Sequence, residues 1–146
     1  MLNLKNIGIE ELLELAQSGD VNAQYELGVR YRSGDGVNRD NEKRFYWFNL
    51  AANGGHTEAK LALGMCYYHA KGTSVDLEKA FYWWMKSANQ NHIYSLYKVG
   101  IMYRDGKGVQ KDLDEAIFYL EKSAGMGDLY AKEALIECYK IKNENN

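Results

Sequence analysis

With 146 residues, 46% of them hydrophobic and 26% charged, the chain has the size and make-up of one globular domain with a real core, and its net charge of -2 offers no broad basic footprint for nucleic acid. The absence of proline beside 14 glycines points to helices punctuated by glycine and against strand-rich folds. No apolar run approaches the roughly 18 to 20 residues of a membrane helix, so neither a membrane span nor a membrane partner is expected.

In chain order, the opening stretch MLNLKNIGIEELLELAQSGD lacks a basic leader, an uninterrupted apolar segment and a small-residue cleavage site, which predicts a cytoplasmic protein. Residues 1–20 read as an N-terminal capping helix, with helical apolar spacing over 7–18. From residue 21 the chain repeats every 36 residues without a gap, giving full units 21–56, 57–92 and 93–128. A last helix follows over 129–142, then a frayed polar tail over 143–146. The register rests on several columns. Tyr31, Tyr67, Tyr103 and Tyr139 recur at the same place, as do Gly28, Gly64 and Gly100, each preceded by Leu27, Leu63 or Val99, with Leu135 in the partial last unit. Ala23, Ala59, Ser95 and Ala131 form a small-residue column, and Ala52, Ala88 and Ala124 another. The whole chain, 1–146, is therefore read as a single all-α solenoid of about eight helices, three full repeats with half-repeat caps.

Each unit reads as two helices. The first carries Ala, Leu and Tyr at i, i+4 and i+8, one apolar stripe with a glycine beside the Leu. A glycine inside a helix costs about 1 kcal/mol against alanine, so its return at one column predicts close approach of a second helix. The loops SGDGV, HAKGT and DGKGV then supply residues able to take positive φ. Asp40, Asp76 and Asp112 follow as expected N-caps of the second helices. The second helix is expected to bury Phe45, Trp47, Phe48 and Ala51, with Phe81, Trp83, Trp84 and Ser87 as equivalents, and to end near residues 54, 90 and 126.

The pattern Ala-x-x-x-Leu-Gly-x-x-Tyr, Gly-x-Gly-Val, Asp-x-x-Lys-Ala, Trp and Ala-Ala-x-x-Gly resembles the Sel-1-like repeat, a cousin of the tetratricopeptide repeat. The third unit carries it best, in LYKVGIMYRDGKGVQKDLDEAIFYLEKSAGMG, and the resemblance covers about residues 7 to 140. Arg44 departs from the alanine of Ala80 and Ala116, and Ala70 with Thr73 departs from the Gly and Val of the other loops, which leaves the shape of the second loop open. The resemblance implies a right-handed α-solenoid with first helices on the concave face. It also implies an adaptor that binds proteins. Some small bacterial members resemble immunity proteins that neutralise a toxin, and a few cysteine-rich members have been associated with β-lactams.

Candidate catalytic residues reduce to Ser95 and Lys98, which match the Ser-x-x-Lys of penicillin-recognising enzymes. Ser95, however, occupies the small-residue packing column, so no enzyme activity is expected. Cys66 and Cys138 share a column two repeats apart; packed helices at 8 to 10 Å would hold them roughly 16 to 20 Å from each other, so they are read as reduced thiols. His56 and His92 share a turn column filled elsewhere by Asp20 and Asp128, which predicts capping and no metal site. His69 carries no motif. The glycine loops follow helices and lack phosphate-loop spacing, so no cofactor is expected. Glu10-Glu11 and Glu133/Glu137 are read as solvated.

Carrying over tetratricopeptide geometry, the resemblance places a partner-binding set on the inward positions of the first helices: Tyr25, Val29 and Arg32; Leu61, Met65 and Tyr68; Tyr94, Tyr97, Ile101 and Arg104; and Tyr130. Asn22, Glu58, Glu133, Glu137 and Lys140 complete these columns. Columns that face water ought to be polar, and this mixture of Tyr, Met, aliphatic and Arg is the one enriched at interfaces. The implied partner is a protein or peptide segment, a toxin in the immunity version, bound by a monomer or weak homo-oligomer.

Overall fold

The computed structural model describes residues 2–146. By internal contacts the chain falls into two compact units, one reaching to Asp76 and the other spanning Leu77–Asn146. The described residues hold eight α-helices and no strand.

The first unit opens with a single 3-10 turn, Leu4–Asn6, which the sequence reading did not foresee. Helices α1 (Ile9–Gln17), α2 (Val21–Ser33), α3 (Asn41–Asn53) and α4 (Thr57–His69) follow, each packed on the next. Asp20 and Asp40 cap α2 and α3 by accepting from the backbone N–H groups of Ala23 and Lys43. The core gathers Leu12, Ala16, Ala23, Leu27 and Trp47, with Leu4, Ile7 and Tyr31 packed around them. The opening turn is held by Arg30, a buried residue of α2. Its guanidinium donates to the carbonyls of Leu4 and Ile7 at 2.9 Å each and to that of Lys5 at 3.3 Å, and pairs with the buried Glu26 at 3.4 Å. Burial without such partners would cost a charged group several kcal/mol, so the three carbonyls and the carboxylate are what let Arg30 stay inside.

In the second unit α5 (Leu77–Ala88), α6 (Ile93–Asp105), α7 (Leu113–Gly125) and α8 (Leu129–Glu144) pack in the same sequential way. Its core is Ala116, Ile117, Leu120, Ala131, Ala134 and Cys138. Helix α8 continues to Glu144, beyond the expected stop at 142, and Lys142 ties it to Asp114 of α7 at 2.8 Å.

At Gly28 and Gly100 the glycine column works as its recurrence suggested. A Cβ on Gly28 would overlap the Phe48 ring, and one on Gly100 would lie 2.6 Å from Leu120 Cγ. Phe48 and Leu120 are fully buried as a result; burying such a side chain contributes about 2–3 kcal/mol. The loops close alike in all three repeats. The N–H of Asp40, Asp76 and Asp112 donates at 3.0 Å to the carbonyl of Tyr31, Tyr67 and Tyr103 respectively. The second loop keeps this closure despite its different residues, because Ala70 takes the left-handed conformation, φ 52°, that Gly34 and Gly106 take elsewhere. An L-residue there costs roughly 1–2 kcal/mol.

Three columns are less buried than expected, the first being that of Phe45 and Phe81, both half-buried and each edge-on to a tyrosine, Tyr67 and Tyr103 respectively. Trp83 is half-buried where Trp47 is nearly enclosed, and Leu135 of the last helix is half-buried where Leu27, Leu63 and Val99 are fully buried. Arg44 stands where Ala80 and Ala116 are enclosed; its positive charge lies close enough to the Cys66 thiol to oppose the rise that burial causes there, while its Nε is buried with no hydrogen-bond partner.

Candidate protein-binding faces

In the first unit the tyrosine of the candidate set is Tyr25, half-buried on α2. Its ring stacks on the His56 imidazole with centroids 4.3 Å apart and planes at 19°, and meets Phe48 at 5.7 Å. Burial raises the Tyr25 phenol above its ordinary range. His56 is the N-cap of α4: its Nδ1 accepts the Ala59 N–H at 3.2 Å. Burial pushes its pKa down, against the opposing pull of Glu58. The neutral ring with Nδ1 accepting carries its proton on Nε2, so the niche presents a donor and an aromatic face. Tyr25 and His56 help line a cavity of about 810 Å³ whose other walls include Leu2, Leu4, Leu15, Asp20 and Glu26. Val29, Leu61, Met65 and Tyr68 are half-buried, and Tyr68 meets His69 edge-on at 4.9 Å. Arg32, at the end of α2, is exposed.

In the second unit Tyr97 lies between two other rings, Tyr94 at 6.0 Å and Tyr130 at 6.2 Å. Burial raises its phenol, and the neighbouring Tyr94 and Asp128 add to that shift. Tyr97 and Ile101 also pack against the core, so these two serve the fold as well as the face. Lys98 places its ammonium 5.1 Å from the Tyr94 centroid and 5.9 Å from that of Tyr97. Tyr94 and Tyr130 line a shallow pocket of about 300 Å³ with Ile93, Gly127, Asp128 and Leu129. Tyr130 and Leu129 are the most open of these, at 68% and 69% exposure. Arg104 is not a free cation. It bonds Asp105 at 2.8 Å and Glu137 at 2.7 Å, and the Asp105 hydrogen bond raises its pKa further. Glu137 is thus an ion-pair partner of Arg104, although read from sequence as merely solvated.

The remaining candidates fall to structural roles. Ser95 is fully buried, and its hydroxyl donates to that of Ser87 at 2.7 Å, a hydroxyl pair at the positions where the previous repeat buries Ala59 and Ala51. A nucleophile needs a substrate-accessible oxygen; here the oxygen is enclosed, and Lys98 lies over aromatic rings. Cys66 and Cys138 are free and buried, and burial raises both thiols. His92 occupies the N-cap of α6 without bonding the helix's backbone N–H groups; its Nδ1 instead shares a hydrogen bond with Ser95 Oγ at 3.5 Å. Among the described residues no three His, Cys, Asp or Glu gather closely enough to hold a metal ion, and no helix is long and apolar enough to cross a membrane.

The sequence reading missed two features. His56 and Asp128 had been read as caps only, yet each borders a tyrosine niche. The second helices also expose one aromatic per repeat, Tyr46, Tyr82 and Phe118, each packed edge-on against the following ring at 5.0 to 5.2 Å. The 36-residue register would have revealed that column directly.

Helix pairs recurring every 36 residues, with glycine-seated second helices, Asp-capped turns and aromatic first-helix faces, define an all-α repeat protein of the solenoid class. The chain belongs to the Sel1 repeat family, whose model matches residues 21–56, 57–92 and 93–128. Among solved structures it is similar to a Sel1 repeat protein from Oxalobacter formigenes, 35% identical with a TM-score of 0.80, covering 88% of this chain and 97% of that one. It is also similar to a protective antigen of uropathogenic Escherichia coli strains displaying an SLR fold, 31% identical with a TM-score of 0.86, covering 92% of this chain but 29% of that one. A likeness to cysteine rich protein B of Helicobacter pylori, 24% identical with a TM-score of 0.67 over 86% of this chain and 95% of that one, is one of fold. Sel1-repeat-containing protein YbeQ of Escherichia coli K12 is 44% identical over 48 residues, which make up 32% of this chain and 15% of that relative's length. Sel1 repeat proteins generally mediate protein–protein interaction.

Proposed function

We propose that the chain is a non-catalytic cytoplasmic scaffold that holds a protein or peptide segment against the tyrosine-bearing faces of its first helices. The observation that carries the reading is the recurrence of a tyrosine beside a cavity at one repeat column of both units. Tyr25 borders the 810 Å³ cavity, and Tyr97 lies between the two tyrosines of the 300 Å³ pocket. Rings with an apolar body and a polar tip, set among half-buried aliphatic side chains, are what interface hot spots are made of. Tyr25, Leu61, Met65, Tyr97 and Ile101 are the central anchors, flanked by Val29, Arg32, Tyr68, Tyr94 and Tyr130. Arg104 contributes through its ion pairs.

The test is a partner captured with the full chain from its native host, then titrated against variants. Tyr97→Ala is expected to weaken that binding by more than about 1 kcal/mol while unfolding stays cooperative. Tyr82→Ala, on the opposite helix class, is expected to leave it unchanged. Equal affinity for wild type and Tyr97→Ala would refute this placement of the site. The narrower version of the reading is an immunity protein whose partner is a toxin. Co-expression with a toxin encoded beside it should then protect cells, and failure to protect would remove that version alone.

A further inference from the structure

We infer that the pocket between α6 and α8 is a socket for a basic side chain of the bound partner, an arginine foremost; the inference rests on the scaffold reading and gives that partner a chemistry. The pocket brings together the Tyr94 and Tyr130 rings, the Asp128 carboxylate, and the apolar walls of Ile93 and Leu129. No basic side chain lines it. At about 300 Å³ it has room for one long side chain and lies at the lower limit for a small-molecule site.

Its chemistry selects for a cation. Tyrosine rings carry negative faces that attract a guanidinium, whose flat, weakly hydrated surface also stacks on them. One of the two rings, Tyr94, already attracts a cation of the chain itself, Lys98 at 5.1 Å, which does not line the pocket. The carboxylate supplies the charge. Asp128 is held in place by three hydrogen bonds: Oδ1 accepts the N–H of Tyr130 at 2.9 Å and of Ala131 at 3.3 Å, and Oδ2 accepts the Ser123 hydroxyl at 2.8 Å. A carboxylate offers about four acceptor positions, so one remains for a guanidinium N–H. The methylene stem of the arginine would lie along Leu129 and Ile93. Two repeats earlier the same place in the column is taken by His56, whose neutral imidazole offers no such charge.

The probe is N-acetyl-arginine amide titrated into the isotope-labelled full chain and followed by the backbone amide signals. Saturable shifts are expected, confined to residues 93–98 and 127–131. The citrulline analogue, which keeps the shape and loses the charge, is expected to bind about five- to tenfold more weakly. Tyr130→Ala and Asp128→Asn should each lower the arginine affinity by a similar factor. Asn retains the helix-capping acceptor, so that variant removes charge while keeping the cap. Equal binding of arginine and citrulline, shifts mapping elsewhere, or undiminished binding to Asp128→Asn would each overturn the socket. A partner weakened by Tyr97→Ala but indifferent to Asp128→Asn would overturn the socket while leaving the scaffold reading intact.

Discussion

Tyr25 in the first unit and Tyr97 in the second stand two repeats apart at the same column, yet their surroundings differ. Tyr25 is covered by the His56 imidazole stacked 4.3 Å away, whereas Tyr97 has Asp128 nearby and a tyrosine on either side. The frame around them hardly changes. Ala23 and Ser95 are fully buried one turn before the Leu27 and Val99 column, Gly28 and Gly100 each seat a second helix, and the following loop closes through the same backbone hydrogen bond. A repeat of this kind separates two jobs. Columns that meet the next helix are fixed by volume, down to the missing Cβ of one glycine, while the columns between them are left to vary and hold the residues proposed for recognition.

The shared frame gives the largest expected effects. Gly28→Ala and Gly100→Ala must push a methyl into Phe48 or Leu120, so each should lower the unfolding free energy in urea by about 1–3 kcal/mol. A loss in one unit only would mean that the two frames are not equivalent. Next come the recognition columns, where Tyr97→Ala should cost the partner complex more than about 1 kcal/mol and leave cooperativity intact. Smaller and opposite in sign is Ala70→Gly, which relaxes the left-handed residue of the second loop and should raise stability by about 1 kcal/mol in the same urea titration. The smallest effect separates the two niches by pH. Burial holds the His56 pKa below its ordinary 6.5. As pH falls below about 6.5 the unfolded chain therefore binds a proton before the folded one, and stability declines until the folded ring is protonated as well. His56→Asn keeps a capping acceptor and should flatten that part of the pH–stability curve, whereas an unchanged slope would assign it to another group.

Much of the frame was legible in the sequence because packing columns are dictated by volume. Ala23, Ala59, Ser95 and Ala131 mark one buried column by their size alone, which makes Ser95 a packing residue, and its bond to Ser87 lies within that packing. The glycine column announced close helix approach for the same reason. Less legible were contacts between residues of different columns. The pairing of Arg104 with Glu137 spans 33 residues, and the clamp of Arg30 on the opening turn joins a charge to bare carbonyls that no side-chain pattern marks. The stacking of Tyr25 on His56 was hidden because a turn histidine signals capping, which His56 also does. Loop closure at Ala70 shows the converse: the backbone bond from Asp76 to Tyr67 outweighs the local preference of alanine for negative φ.

Hydrogen exchange of the full chain, free and with its partner bound, tests the central claim most directly. First-helix segments on the tyrosine faces, around residues 22–32, 58–68, 94–104 and 129–137, are expected to gain protection while α3, α5 and α7 exchange as before. Protection centred on the exposed ring column of Tyr46, Tyr82 and Phe118, with the first helices unchanged, would contradict it.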